Sequence, residues 1–155
     1  MKAIGMLAAL TLSLSLPALV SCRPPYAMET PEGFKRFERS RDFRLITADG
    51  VRVKAREVKN YPAATLEFWT EALQLHLEAQ GYVSKSRECF ETDKGLPGCT
   101  VEVVLPHGAE DWVLSTTLFL ARDRIVLVEA AAPYERYQPV EQRLRAALAT
   151  FDPGR

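Results

Sequence analysis

The stretch FRLITADGVRVKAR, residues 43–56, predicts a β-hairpin. Val51, Val53 and Ala55 alternate with charged residues, which is the period of a strand with one buried and one wet face. If Leu45 lies opposite Val53, the two strands are joined by a three-residue loop that ends at Gly50. That loop type needs a left-handed backbone at its third position, where glycine is favoured. The residue pattern and the turn chemistry therefore agree.

The outward face of this hairpin is basic. The alternation places four cations on it: Arg44, Arg52, Lys54 and Arg56. Residues 34–59 carry five more basic than acidic side chains, and residues 60–155 carry five more acidic than basic ones. Charged strand exteriors often only prevent edge-to-edge aggregation. The alternative is a binding surface for anionic lipid head groups or for an acidic protein partner.

A long helix follows the hairpin. Pro62 is suited to the first turn, and Gly81 lies just past a predicted end near Gln80. The predicted polar stripe consists of Glu67, Glu71, Gln74 and Glu78. The opposite face then carries Trp69 and His76, so we expect His76 to be a hydrogen-bonded core histidine. A ligand-binding or pH-sensitive role is the alternative for this residue.

The remaining chain predicts four strands and a last helix. The strands span 82–92, 99–105, 112–121 and 125–131, and the helix opens at Pro139. Its apolar face consists of Val140, Leu144, Leu148 and Phe151. The sequence thus predicts an α+β domain, with an antiparallel sheet of about six strands and the long and C-terminal helices packed on it.

The first residues describe an export signal. A charged start, Met1-Lys2, precedes an apolar run to Val20, and Leu19-Val20-Ser21-Cys22 resembles a bacterial lipobox. The alternative is a transmembrane helix that ends in an ordinary cysteine. The lipobox resemblance implies that Cys22 is the lipidated mature N-terminus. It divides the chain into a signal peptide at 1–21, a lipidated tether at 22–33 and one domain at 34–155.

The resemblance also bears on location. It implies a lipid-anchored protein of the bacterial envelope, bound to the membrane through its acyl chains. Residue 23 is Arg and not the Asp that signals inner-membrane retention in enterobacterial lipoproteins, which favours the outer membrane, facing the periplasm. A protein in that compartment does not meet nucleic acid.

Two cysteines remain once Cys22 is lipidated. Because an exported protein meets an oxidising compartment, we expect Cys89 and Cys99 to form a disulfide. A three-residue loop at 93–95 places them opposite each other, yet the two strand patterns put them on differently polar faces. We expect either a bulge near Pro97-Gly98 or a twist at the end of one strand.

Catalytic motifs are missing from the sequence. There is no G-x-S-x-G, phosphate-binding loop or dinucleotide fingerprint. His107, Glu110 and Asp111 most simply form a solvated turn, so we expect no metal, no cofactor and no enzyme. Two alternatives stay open: a hydrolase that uses Glu110 and Asp111, and a carrier with an apolar pocket lined by Trp69 and His76.

The order of the elements is similar to the PsbP-like/Mog-like α/β/α sandwich. The resemblance rests on four pieces of local sequence: Tyr61-Pro62, Phe68-Trp69, Gly81-Tyr82 and the strand Ile125-Val126-Leu127-Val128. It covers residues 34–151. The family consists mostly of binding proteins and has no shared catalytic residues. The resemblance therefore implies a non-catalytic binding or accessory subunit, serving a protein complex or an anionic envelope component.

Overall fold

The computed structural model describes residues 26–38 and 42–154. Seven strands form one antiparallel sheet in the order β1-β2-β3-β7-β6-β5-β4. The strands are β1 Phe34–Arg36, β2 Arg44–Thr47, β3 Arg52–Lys59, β4 Val83–Glu91, β5 Pro97–His107, β6 Glu110–Ala121 and β7 Arg124–Pro133. The helices are α1 Leu66–Ala79, α2 Tyr134–Tyr137 and α3 Glu141–Ala149, with a 3₁₀ turn at Gln138–Val140. The predicted α+β class is confirmed, and the additional strand is β1, which is too short to show a periodic pattern.

The hairpin has the predicted register. Leu45 lies opposite Val53. The Thr47 amide donates to the Val51 carbonyl at 3.0 Å, which leaves a three-residue loop. Gly50 closes this loop with φ at 87°, in the left-handed region that its position requires.

The larger core lies between the sheet and α3. The predicted apolar side chains of the last helix are all buried here, and Phe151 stacks on Phe119 with 4.1 Å between ring centroids. Gly98 allows this stack, because a Cβ at that position would lie 2.6 Å from the Phe119 ring. With α1 on the opposite face, the domain is a three-layer sandwich.

The N-terminal segment belongs to this core and not to a tether. Tyr26 and Met28 are buried, and the Tyr26 hydroxyl donates to the Ala55 carbonyl at 3.0 Å. Ala27 and Asp152 exchange two backbone hydrogen bonds of 2.8 Å. The predicted tether was therefore wrong for residues 26–33, because a run rich in proline still carries two apolar anchors. Residues 1–25, with the signal peptide and Cys22, lie outside the described residues.

Helix α1 is shorter than predicted and turned about its axis. It begins after Thr65, whose hydroxyl accepts from the Phe68 amide at 3.2 Å. The face on the sheet is centred on Thr70 and Leu77, one residue on from Trp69 and His76 and therefore about 100° from the predicted face. A buried threonine is tolerated because its hydroxyl donates to the Leu66 carbonyl at 2.7 Å.

The predicted disulfide forms between directly opposed residues. Cys89 on β4 faces Cys99 on β5, and the two are bonded. The ladder shifts between Ser84 and Ser86, and not near Pro97-Gly98, which was one of the two expected explanations. This bulge turns Lys85 towards α3, whereas Cys89 stays on the α1 side of an exposed edge strand. The polar pattern around Cys89 therefore reflects the edge and the bulge.

Candidate functional site: a groove on the open face

Helix α1 covers only part of its side of the sheet. It packs on β4, β5 and β6. Leu77 contacts Val101 and Val103, while the first turns of the helix lie against Leu118 and Leu127. The rest of that side, on β1, β2, β3 and the adjoining parts of β6 and β7, carries exposed and half-buried side chains. We call this surface the open face.

Two depressions on the open face join into one groove. The first has a volume of about 730 Å³, and its floor includes Ile46, Leu114 and Ala131. The second, of about 310 Å³, is lined by Tyr82, Leu105, His107, Trp112, Val113, Leu114 and Ala131. Because Leu114 and Ala131 belong to both, the floor is continuous. We refer to the combined feature as the groove.

Exposed aromatic side chains stand at the two ends of the groove. Phe37 is 49% exposed at one end, and Trp112 is 40% exposed at the other. The backbone amide of Phe37 is held by the Arg44 carbonyl at 3.1 Å. Trp112 lies on β6 opposite Leu105. Large aromatics held on a rigid sheet are typical anchors of binding surfaces.

The four predicted cations lie on the open face, but two of them share an acid. Glu129 on β7 pairs with Lys54 at 3.1 Å and with Arg56 at 3.0 Å. Burial raises the pKa of Glu129, but hydrogen bonds and charge from Arg56 and Lys54 outweigh this, so the pKa lies below its ordinary 4.5. The carboxylate is therefore charged at neutral pH and offsets part of the basic stripe. Sequence reasoning missed it because Glu129 directly follows the apolar run of β7.

Arg52 is the one of these four cations that forms no ion pair with another described residue. Arg44 pairs with Asp42 at 2.8 Å, whereas Arg52 has no ion-pair partner among residues 26–38 and 42–154. Arg52 lies between Ile46 on β2 and Ala131 on β7, in the middle of the groove. The groove thus combines an apolar floor with one central guanidinium.

Helix α1 carries a second exposed surface on its outer side. Phe68 is 53% exposed and Leu75 is 58% exposed. At 100° per residue, both point directly away from the sheet, with Glu71 and Glu78 beside them. We call these four residues the α1 stripe. It is apolar and acidic, which complements the groove.

The predicted pocket around Trp69 and His76 is not formed by these two residues. The Trp69 ring packs on the Leu118, Ile125 and Leu127 cluster, and its Nε1 donates to Asn60 Oδ1 at 2.7 Å. His76 is exposed and hydrogen-bonded to Gln80 at 3.1 Å, so its predicted core position was wrong. Both differences follow from the rotation of α1.

A buried carboxylate network lies on the other side of the sheet. Glu102 on β5 is fully buried and accepts from the Tyr137 hydroxyl at 2.7 Å and from Lys85 Nζ at 3.0 Å. Arg145 and Glu141 extend the network, with Arg145 Nη2 at 3.4 Å from Glu102 and 3.1 Å from Glu141. Sequence reasoning missed it, because a single glutamate in an alternating strand is typical of a solvated face.

The electrostatics of this network are those of a structural element. Burial raises the pKa of Glu102, but the Tyr137 hydrogen bond and the Lys85 and Arg145 charges lower it below its ordinary 4.5. Burial and the Glu102 charge raise the pKa of Tyr137, so the phenol stays protonated and donates. Every partner is satisfied, which suits a network that fixes α2 and α3 on the sheet.

The residues of the hydrolase alternative lie at the β5–β6 turn. His107 lies opposite Glu110 in the register of the β5–β6 hairpin, and both side chains are exposed, as is that of Asp111. Within the described ranges, no group of three or more His, Cys, Asp or Glu side chains could hold a metal ion. A search of the same ranges for a helix long and apolar enough to cross a membrane found none.

Comparison with known proteins supports the fold class. A structure of PA94, a protein of unknown function from Pseudomonas aeruginosa, has a TM-score of 0.59 at 13% identity, covering 70% of this chain and 78% of PA94. The cyanobacterial PsbP, CyanoP, from Synechocystis sp. PCC 6803 has a TM-score of 0.53 at 14% identity, covering 83% and 86%. The domain thus has a PsbP-like fold. No family model and no curated protein matches the sequence.

Proposed function

We propose that this protein is a lipid-anchored accessory protein of the bacterial envelope that binds a protein partner through the groove. The observation that carries the proposal is the continuous groove on a half-covered sheet, with an apolar floor, aromatic ends and Arg52 at its centre. Anchoring aromatics and an arginine are the side chains that dominate protein-binding energetics. The proposed role is non-catalytic.

The position of the N-terminus supports a role close to the membrane. Tyr26 is fixed in the core, and three residues separate it from Cys22. Four residue steps span at most about 14 Å when fully extended. If Cys22 carries the acyl chains, the domain lies against the membrane and reaches only partners within that zone.

The shape of the groove favours a protein over a carried small molecule. Its aromatic ends are about half exposed, so a bound lipid would keep much of its apolar surface in water. The space beneath Trp69, where a carrier was expected to hold its ligand, is filled by side chains. A carrier remains the second candidate, because the apolar floor fits an acyl chain as well as a side chain.

Photo-cross-linking in intact cells tests the proposal. A photoreactive residue at Phe37 of the full-length chain should give a discrete protein adduct, and Arg52→Glu in the same chain should reduce it at least about tenfold. Tyr134 serves as the matched control, because it is an exposed aromatic beyond the groove. Equal adduct yields from both positions would refute the groove as the binding surface. A Phe37 adduct whose yield is unchanged by Arg52→Glu would refute it as well. An adduct containing only lipid would favour the carrier.

A further inference from the structure

The structure points to a specific occupant of the groove, and we propose that it is the α1 stripe of a second copy of this chain. The inference rests on the proposed function, since it takes the groove to be a protein-binding surface. Each molecule carries both halves of the contact, the groove on the open face and the stripe on the outer side of α1. The sequence already shows the asymmetry, with an excess of basic residues in 34–59 and of acidic residues in 60–155.

The exposure of the stripe is unexplained by the fold of one molecule. Helix α1 uses Thr70 and Leu77 to face the sheet, yet turns Phe68 and Leu75 directly into solvent. Two large apolar side chains at positions i and i+7 are the pattern of a helix that docks in a groove.

The spacing of the two surfaces agrees. Phe68 and Leu75 are seven residues apart, about 10 Å along a helix at 1.5 Å per residue. Ile46 and Ala131 lie opposite Arg52 on the two neighbouring strands, so they are two strand spacings apart, about 10 Å between Cα atoms. Two apolar side chains of the stripe can therefore contact the floor on both sides of Arg52.

The charges of the two surfaces are complementary at the same place. Glu71 lies midway along the stripe, and Arg52 lies midway along the groove. Among the described residues, neither has an ion-pair partner within its own molecule.

The contact is heterologous, since the two molecules contribute different surfaces. One contact leaves one groove and one stripe free in the pair, so the assembly either adds further copies as a row or ring, or closes when the same two molecules make the contact twice. Anchoring at Cys22 would confine the copies to one membrane surface and raise their effective concentration.

Paired cysteine cross-linking of full-length chains in intact cells tests the inference. One copy carries Arg52→Cys and a tagged second copy carries Glu71→Cys; these central positions should meet in either helix orientation. We expect a mixed disulfide between the copies. The control pairs Arg52→Cys with Glu135→Cys, an exposed glutamate on α2. It should give at least about tenfold less product.

Charge reversal provides an independent measurement on the purified full-length protein in detergent. Arg52→Glu alone and Glu71→Arg alone should each weaken self-association about tenfold or more in sedimentation. Mixing the two variants should restore association, because each reversed surface then meets its complement.

Two outcomes would overturn the inference. One is equal cross-linking in the test and control pairs, and the other is no association between copies at any concentration reached in the membrane. If copies do not cross-link but Phe37 still gives an Arg52-dependent adduct with another protein, the proposed function stands and only the occupant is wrong. If the Phe37 adduct is also missing, both proposals fail.

Discussion

Replacing both cations beside Glu102, as Lys85→Met with Arg145→Met, should destabilise the domain by about 3–5 kcal/mol. The Glu102 side chain is 1% exposed, whereas Lys85 and Arg145 are 27% and 32% exposed. The double variant therefore leaves a buried carboxylate with only the hydrogen bonds from Tyr137 and Ser86. Urea unfolding of the purified protein at neutral pH measures the free energy of unfolding.

A rescue variant distinguishes a stranded charge from a general loss of packing. Adding Glu102→Met and Tyr137→Phe to the double variant should recover most of the lost free energy, because an apolar cluster of similar volume often replaces a buried ion cluster without penalty and no buried hydroxyl is left without its acceptor. The control is Glu88→Gln, which removes only the exposed partner of Arg145 and should cost less than about 1 kcal/mol. A double variant within about 1 kcal/mol of the native protein would show that Glu102 does not depend on these cations.

Cys22→Ala should abolish acylation of the chain completely. Acyl chains attached at this position would supply the membrane affinity, since each buried methylene contributes about 0.8 kcal/mol and two or more chains anchor stably. Metabolic labelling with an alkynyl fatty acid, followed by in-gel detection, measures the acylation of the chain. The variant should also shift from the membrane fraction to the soluble fraction.

The other two cysteines provide the matched control for this experiment. Cys89→Ser with Cys99→Ser should keep the full label, because these residues are bonded to each other at the sheet edge. A native protein without label, or label that survives in Cys22→Ala, would contradict the lipid anchor. The groove would then have to act away from the membrane.

Local pattern accounts for most of the fold. The register of the β2–β3 hairpin followed from alternation plus one glycine, and the disulfide followed from the two cysteines that remain when Cys22 is set aside and from the expectation of export. The apolar face of the last helix also followed directly from its spacing. These features depend on residues that are close together in the sequence, or on the chemistry of the residue type itself.

The predictions that were wrong or missing concern residues whose partners lie far away in the sequence. The face of α1 was misplaced because Thr70 satisfies its hydroxyl on the helix itself, so a polar residue could turn inward. Glu129 and Glu102 gained their roles from cations on other elements. Tyr26 joined the core through Ala55, 29 residues away. Periodicity identifies polar and apolar positions but not which partner satisfies each one.

The candidate site was half predictable for the same reason. The sequence located the cations of the open face but not the groove, because the groove forms only where β2, β3, β7 and β6 lie side by side. Trp112 and Leu114 come from one strand, and Ile46 from a strand far away in sequence. The neighbouring strands also introduced Glu129, which leaves Arg52 as the central cation.

Covalent footprinting of Trp112 in native envelopes tests most directly whether the groove is a binding surface. Trp112 and Tyr134 have similar exposure, 40% and 36%, in the isolated molecule. Trp112 lines the groove, whereas Tyr134 lies beside Lys85 on the α3 side of the sheet. We expect Trp112 to be labelled several-fold less in envelopes than in dilute purified protein, while Tyr134 is labelled equally in both. Equal labelling of Trp112 in the two preparations would show that nothing covers the groove, and would contradict the account.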